Sequence, residues 1–226
     1  MKISILTLFP EMFTPLEGSI IGRARNSGKI DIQTVNIRDY SLDKHHKCDD
    51  APFGGGAGML MTPQPIADAI KAVDPEHKAK RVFLSPKGKV LSQAKVRELA
   101  NGGDLVLLCG HYEGVDQRVI DLFIDEEISI GDYVLTGGEL PAMVLTDAVC
   151  RYVDGVISSD SLTAESFSDN LLEYPQYTRP QVFMGLEVPE VLLNGNHKLI
   201  NEWRREQAIK LTKKLRPDII KDNPDL

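Results

Sequence analysis

From position 2 to position 153, short segments rich in Ile, Val and Leu alternate with helical patterns, and after Val153 the alternation stops. The apolar segments 2–8, 30–37, 81–84, 104–109 and 127–135 each read as a strand. Between them, 65–73, 92–101, 116–123 and 140–153 carry helical patterns, with Ser92 as the expected N-cap of the second. Such alternation implies an α/β domain with a largely parallel sheet. On this pattern alone the sheet is expected to be doubly wound and unknotted, because true knots are rare. Ligands of such sheets sit beyond the carboxyl ends of the strands.

Three segments fall there: Ser85-Pro86-Lys87-Gly88, the loop 110–114, and the stretch 130–141. The last holds three glycines within eight residues, Gly131, Gly137 and Gly138, and one flat aromatic face, Tyr133. Glycines let backbone approach a ligand closely and adopt positive φ, so the stretch reads as a small-molecule pocket. On that reading Gly110 and Gly138 leave room for the ligand, and Val at either is expected to block binding without unfolding the domain. A further glycine loop, 53–59, precedes a Pro-started helical run. None is a standard nucleotide fingerprint: G-x-x-x-x-G-K-[ST] is absent, and no G-x-G-x-x-G follows a predicted strand.

The chain of 226 residues suffices for one α/β domain and a small appendage, and 42% apolar with 26% charged is an ordinary soluble composition. The opening strand ends at Pro10 without a cleavage-type sequence, so it does not read as a signal peptide, and no stretch approaches a membrane span. Cys48, Cys109 and Cys150 are far apart and lack metal-type spacing, which argues against a disulfide framework and favours the cytoplasm. Cys109 and Cys150 read as small buried apolar residues.

Net charge is −7, which speaks against broad nucleic-acid binding. Its distribution changes that inference. Between Asn196 and Arg216, seven Lys and Arg residues, Arg204 and Arg205 among them, against Glu202 and Glu206 give a local +5, leaving −12 for the rest. This basic amphipathic helix, 197–216, has apolar Leu199, Ile200, Trp203, Ala208, Ile209 and Leu211 and fits a small helical domain that meets a polyanion. A solvated helix face fits the same charges. The segment from 154 to about 173 has little periodicity and reads as a linker or lid.

Six motifs in order carry a resemblance: Leu-Phe-Pro-Glu-Met-Phe at 8–13, Gly-Gly-Gly-Ala-Gly-Met-Leu-Met at 54–61, Leu-Ser-Pro at 84–86, Cys-Gly-His-Tyr-Glu-Gly at 109–114, Ile-Gly-Asp-Tyr-Val-Leu-Thr-Gly-Gly-Glu-Leu-Pro at 130–141, and Tyr-Thr-Arg-Pro at 177–180. Together they resemble the bacterial tRNA (guanine-N1-)-methyltransferases, which modify the guanosine 3′ of the anticodon. The likeness runs nearly end to end, with a short C-terminal tail. It implies a SPOUT-type parallel sheet with a deep trefoil knot over 1–157, a linker or lid over 158–172, and a helical tRNA-binding domain over 173–226. It further implies a homodimer with a shared active site and S-adenosylmethionine held in the knot. Carried over residue by residue, the cofactor is expected at Leu84, Ser85 and Pro86; at Gly110 and Glu113; at Ile130, Gly131, Asp132, Tyr133, Val134 and Leu135; and at Gly137, Gly138 and Pro141. Asp50 matches the position that contacts the neighbouring guanosine, with Gly56 and Gly58 beside the RNA, while His45, His46 and Lys47 fit either phosphate contact or a solvated turn.

The chemistry asks for few groups. Guanine N1 is a poor nucleophile until its proton leaves, so a carboxylate must take that proton and a cation must hold charge at O6. Arg151, after Asp147-Ala148-Val149-Cys150, matches the family's arginine for that purpose; on residue type alone it is equally a helix-end residue satisfying carbonyls. The family's acid is usually an Asp directly before Ser-Phe, and here that position is Glu165, with Asp169 four residues on as the other candidate. No metal-ligand cluster is apparent, although a divalent cation such as magnesium is compatible with the chemistry. Two other functions fit parts of the pattern: a SPOUT methyltransferase acting on another RNA, and a non-catalytic RNA-binding module.

Overall fold

The computed structural model describes residues 1–158, 165–167 and 169–220. Contacts divide the chain into two compact units, Met1–Ile157 and Ser158–Leu226. The first runs β1 (Lys2–Thr7), a 3-10 helix (Pro10–Glu17), α1 (Ser19–Asn26), β2 (Asp31–Asn36), a second 3-10 helix (Ile37–Tyr40) and the antiparallel pair β3 (Asp49–Asp50) and β4 (Leu60–Met61). It continues through α2 (Pro63–Val73), β5 (Lys80–Val90), α3 (Gln93–Asn101), β6 (Leu105–Cys109), α4 (Gln117–Phe123), β7 (Glu126–Ser129) and α5 (Glu139–Cys150). Five strands form one sheet in the order β2-β1-β6-β5-β7, and every pair in it is parallel.

Side chains alternate across the strands and so divide between two cores. Ile3 and Ile5 of β1 share one face with Leu105, Leu107 and Cys109 of β6, covered by Ile21 of α1, Val96 and Leu99 of α3, and Leu145 and Val149 of α5. Leu6, Val106 and Leu108 point the other way, onto Ile66 and Ile70 of α2 and Val119 of α4. Burial on both faces explains why β6 is an unbroken apolar run. Each such side chain contributes about 1.5–3 kcal/mol when fully buried, more than the spread of strand propensities, so burial fixes the register. Helix starts follow local chemistry: Ser92 Oγ accepts the Lys95 N–H at 3.3 Å, and Asp116 accepts that of Arg118 at 3.0 Å.

Two expectations are corrected. The strand expected over 127–135 ends at Ser129, where Ser129 Oγ donates to the Gly131 carbonyl at 2.9 Å and the chain turns out of the sheet. The strand expected over 81–84 is Lys80–Val90, and it slips register: Leu84 and Lys89 both face Ile128, so the residues between them bulge out.

The second unit holds a short antiparallel pair, β8 (Val182–Phe183) and β9 (Leu186–Glu187), a 3-10 helix (Glu190–Leu192), α6 (His197–Leu215) and α7 (Pro217–Ile220). Asn196 caps α6 by accepting the Lys198 and Leu199 N–H groups. The buried residues of α6 are Ala208 and Thr212, whereas Leu199, expected on its apolar face, is exposed. Among the described residues, no helix is long and apolar enough to cross a membrane.

Candidate active site

At the carboxyl ends of β5, β6 and β7 lies a cavity of about 220 Å³. Leu84, Ser85 and Pro86 reach it from the β5 bulge, and Gly110, His111, Tyr112 and Glu113 from the turn after β6. The loop between β7 and α5 closes it with Ile130, Gly131, Tyr133, Val134, Leu135, Gly137 and Gly138, and α5 adds Pro141. Every residue expected at the cofactor is thus in one place except Asp132, which is exposed in the same turn and outside the lining.

The loop's shape follows from its glycines. Gly131 has φ of +153°, and a Cβ there would lie 2.4 Å from the Tyr133 ring. Gly138 approaches the turn after β6 so closely that a Cβ would lie 2.7 Å from Cys109 Cα, while its N–H donates to the Gly110 carbonyl at 2.8 Å. Gly138 is therefore needed for backbone packing against backbone, besides lining the cavity. At Gly110 the neighbour is the Phe83 ring, 2.9 Å from a would-be Cβ.

Beneath the loop, Glu139 at the start of α5 is 2% exposed and accepts the Thr7 hydroxyl at 2.8 Å. Burial, with Glu139 adding its charge, pushes the Cys109 thiol well up, and burial followed by Asp147 pushes Cys150 up to about 12. All three cysteines are buried and free, so at neutral pH Cys109 and Cys150 are protonated packing groups. His111 Nδ1 is buried without a hydrogen-bond partner at the cavity, a polar atom that a bound group could satisfy. The lining thus offers what an adenosyl sulfonium compound needs: apolar side chains, close-lying backbone, one carboxylate at Glu113 and an unmet polar atom.

The glycine loop after Asp50 adjoins this wall. A Cβ on Gly58 would fall 2.5 Å from Glu113 Cγ, and the Glu113 N–H donates to the Met59 carbonyl at 3.0 Å. Gly56 lies in the same loop with φ of +132°. Asp50 has a side chain 75% exposed, 3.9 Å from Lys47 Nζ, and Phe53 beside it is fully exposed. The preceding turn is ordered by Asp43, which accepts the His45 and Lys47 N–H groups and whose carboxyl is held below its usual value by them.

Over residues 1–222 the chain matches the family described as tRNA (Guanine-1)-methyltransferase TrmD. The chain belongs to this family. A tRNA (guanine-N(1)-)-methyltransferase of Clostridium botulinum (strain 657 / Type Ba4) is 55% identical over 222 residues, covering 98% of this chain and 92% of that protein. The protein of the same name from Alkaliphilus metalliredigens (strain QYMF) is 57% identical over 227 residues, with 98% and 92% covered. That of Clostridium perfringens (strain 13 / Type A) is 56% identical over 220 residues, with 97% and 93% covered. The TrmD family is of the SPOUT class, in keeping with the parallel α/β sheet.

Arg151, the family-matched arginine, is half-buried at the C-cap of α5 in the first unit. Glu165 and Asp169 belong to the second unit, where they line a cavity of about 250 Å³ with Arg204 and Arg205 of α6. Arg205 is exposed, whereas Arg204 stacks its guanidinium 4.9 Å from the Tyr174 ring centre and keeps Nε buried without a partner. The two arginines, alike in the charge count, therefore sit in different surroundings. Trp203 is half-buried against Tyr177, with ring centres 6.3 Å apart. Sequence reasoning missed Thr7, His111 and Tyr174. For Thr7 the available signal is a hydroxyl set inside a buried apolar strand.

Proposed function

We propose that this chain transfers the methyl group of S-adenosylmethionine to N1 of the guanosine at tRNA position 37. The observation that carries the reading is the convergence of three loops, distant in sequence, into one cavity at the ends of adjacent parallel strands in a chain that belongs to the TrmD family. When bound, the cofactor supplies a methyl group on a positively charged sulfur, an electrophile that needs no further activation. Glu165, or Asp169 in its stead, takes the N1 proton, and Arg151 holds the charge that develops at O6. The bound cofactor would supply the methyl group that N1 acquires, released from its positively charged sulfur, and the carboxyl group that took the N1 proton would end protonated. Asp50, with Gly56 and Gly58, contacts the neighbouring guanosine; an Asp accepts from guanine N1 and N2. Arg205 and the other exposed cations of α6 meet phosphate.

The cofactor's adenosyl and methionine parts are assigned to the residues of the three loops, Asp132 standing at the rim. The same reading threads 130–138 as the last pass of a trefoil knot, supported by the close seating of Gly138 on Cys109 and Gly110. It makes the working form a homodimer with shared active sites and 158–172, of which 159–164 and 168 lie outside the described residues, a lid before a helical tRNA-binding domain. Support for the dimer comes from α5, whose inner face joins the core while Leu140 and Val144 on it stay 49% and 47% exposed. A second copy would cover them. Among the described residues no three His, Cys, Asp or Glu side chains converge, and the reading assigns a divalent cation such as magnesium no step. Three buried free thiols suit the cytoplasm.

A methylation assay on unmodified tRNA, with the nucleotides around the target varied, tests this function. Methyl incorporation at N1 of guanosine 37 is expected, falling when the preceding guanosine is changed. Heat of cofactor binding without methyl transfer to any RNA would overturn it.

A further inference from the structure

The acid-bearing stretch of the second unit is fastened to α6 by bonds that no feature of the motif announces. Thr212 is fully buried, and its hydroxyl donates to the Ala208 carbonyl at 2.7 Å while accepting the Leu172 N–H at 2.8 Å. Leu171 beside it is buried. The stretch also closes on itself: the Phe167 N–H donates to the Leu171 carbonyl at 2.8 Å, and the Glu173 N–H to Ser166 Oγ at 3.0 Å. Glu165 is the residue directly before this closed turn, and Asp169 lies within it.

Arg204 behaves unlike the other cations of α6. An arginine at a helix surface ordinarily sends its guanidinium into water. Here it lies on the Tyr174 ring, and its Nε is buried with no acceptor, a deficit that an acceptor brought into the cavity it shares with Glu165, Asp169 and Asn201 would relieve. The position suits a group that sets the geometry of an acid and its substrate better than one that grips phosphate.

We infer that Thr212 and Arg204 are positioning residues for methyl transfer: α6 carries the proton-accepting acid through them, so that the RNA-binding helix and the acid form one unit. The inference rests on the reading that Glu165 or Asp169 is the base. Thr212 fixes the backbone of the acid stretch, and Arg204 fixes the side of the cavity facing it. A displacement of about 1 Å at a reacting group costs on the order of a hundredfold in rate, so loosening either anchor acts on the chemical step.

The test measures the single-turnover rate constant of the full chain with saturating tRNA and S-adenosylmethionine, a quantity that an unfolded fraction does not lower. Thr212→Val and Arg204→Gln are each expected to reduce it by about tenfold or more, with the Kd of tRNA and of cofactor changed by less than about threefold. Thr212→Ser, which keeps the hydroxyl, is expected to restore the rate, and Arg204→Lys to restore part of it. Amide exchange at Leu172 is expected to speed up in Thr212→Val and not in Thr212→Ser. A weaker tRNA Kd with an unchanged rate in Arg204→Gln makes Arg204 a phosphate contact and overturns its role; should Thr212→Val fail to fold, this split in Arg204→Gln decides alone. A full rate in Thr212→Val despite fast Leu172 exchange overturns the anchoring. If Glu165→Gln and Asp169→Asn both keep full rate, the assignment of the base falls, while the Leu172 exchange still reports whether the stretch is held on α6.

Discussion

The Gly138 N–H donates to the Gly110 carbonyl at 2.8 Å, and a Cβ on Gly138 would stand 2.7 Å from Cys109 Cα. Neither neighbour can yield without moving the end of β6, which is buried on both faces. Gly138→Val is therefore expected to destabilise the domain as well as to abolish cofactor binding, by about 1–3 kcal/mol or more, as overpacking does. Gly110→Ala, set against a ring edge, is expected to lower Tm less. Thermal melts paired with cofactor calorimetry separate the two effects. A Gly138→Val chain with wild-type Tm and no cofactor heat would restore the simpler view that the glycine only makes room.

A buried ion pair is expected to contribute to stability against acid. Arg81 Nε donates to Asp74 Oδ2 at 2.8 Å, with side chains 6% and 7% exposed. Burial alone would raise the Asp74 carboxyl, but the Lys78 N–H, the Arg81 guanidinium and the Ala79 N–H outweigh it and hold the group below its ordinary 3.8. A group whose folded value is depressed contributes stability that is present above the unfolded value and lost as pH falls through the folded one. Denaturant melts are expected to show this contribution at neutral pH and its loss below about pH 4. Asp74→Asn, which strands the Arg81 charge, is expected to cost about 3–5 kcal/mol at pH 7 and to flatten the acid limb. An unchanged acid limb in the variant would assign the acid sensitivity to other carboxyls.

Much of this architecture is legible in the chain, and the gaps have physical causes. β6 stands out because burial on both faces makes it a continuous apolar run, and β1 because Ile3, Ile5 and Leu6 are all fully buried. The end of β7 does not, because Ile130, Val134 and Leu135 have strand-like character but line a cavity. The segment 10–26 escapes the alternation because Pro15 lies inside its 3-10 helix and Gly18 separates that from α1. The cofactor loops are legible through their glycines, although what each glycine meets is not: only the fold reveals that Gly138 faces backbone. Thr7 and Thr212 are single hydroxyls whose importance comes from partners 132 and 40 residues away.

The exposed cation of the arginine pair gives a prediction about affinity. Arg205 is exposed in the segment 196–216, which carries a local charge of +5, so Arg205→Ala is expected to weaken tRNA binding and to make it less steeply dependent on salt. The logarithmic salt slope is expected to become shallower by about one for each phosphate that Arg205 neutralises. Filter binding across a salt series measures it. An unaltered slope would remove Arg205 from the RNA interface.

Subunit mixing tests the shared site. Arg151 and Glu165 lie in different units of the chain, and in a shared site each active centre takes one from each copy. Arg151→Ala and Glu165→Ala chains are each expected to be inactive alone. Mixed and allowed to exchange, they form heterodimers in which one of two centres receives both intact residues, so activity is expected to recover to roughly a quarter of wild type. No recovery, with exchange verified by mass, would mean that both residues of a site come from the same chain.

The choice between Glu165 and Asp169 is open to a direct test, since both line the same cavity of the second unit. Glu165 holds the position directly before Ser166-Phe167, where the family's usual acid stands, and is one methylene longer than that acid. A base removed without altering shape lowers the rate of the chemical step and leaves ground-state binding intact, because its interaction is made chiefly in the transition state. Glu165→Gln is therefore expected to lose on the order of a hundredfold or more in single-turnover rate, with tRNA and cofactor affinities near wild type. Glu165→Asp shortens the side chain yet keeps the carboxylate, and measurable activity is expected to remain. Asp169→Asn is expected to have a small effect. The reverse pattern, an inactive Asp169→Asn beside an active Glu165→Gln, would make Asp169 the base and leave Glu165 as part of the wall that surrounds it.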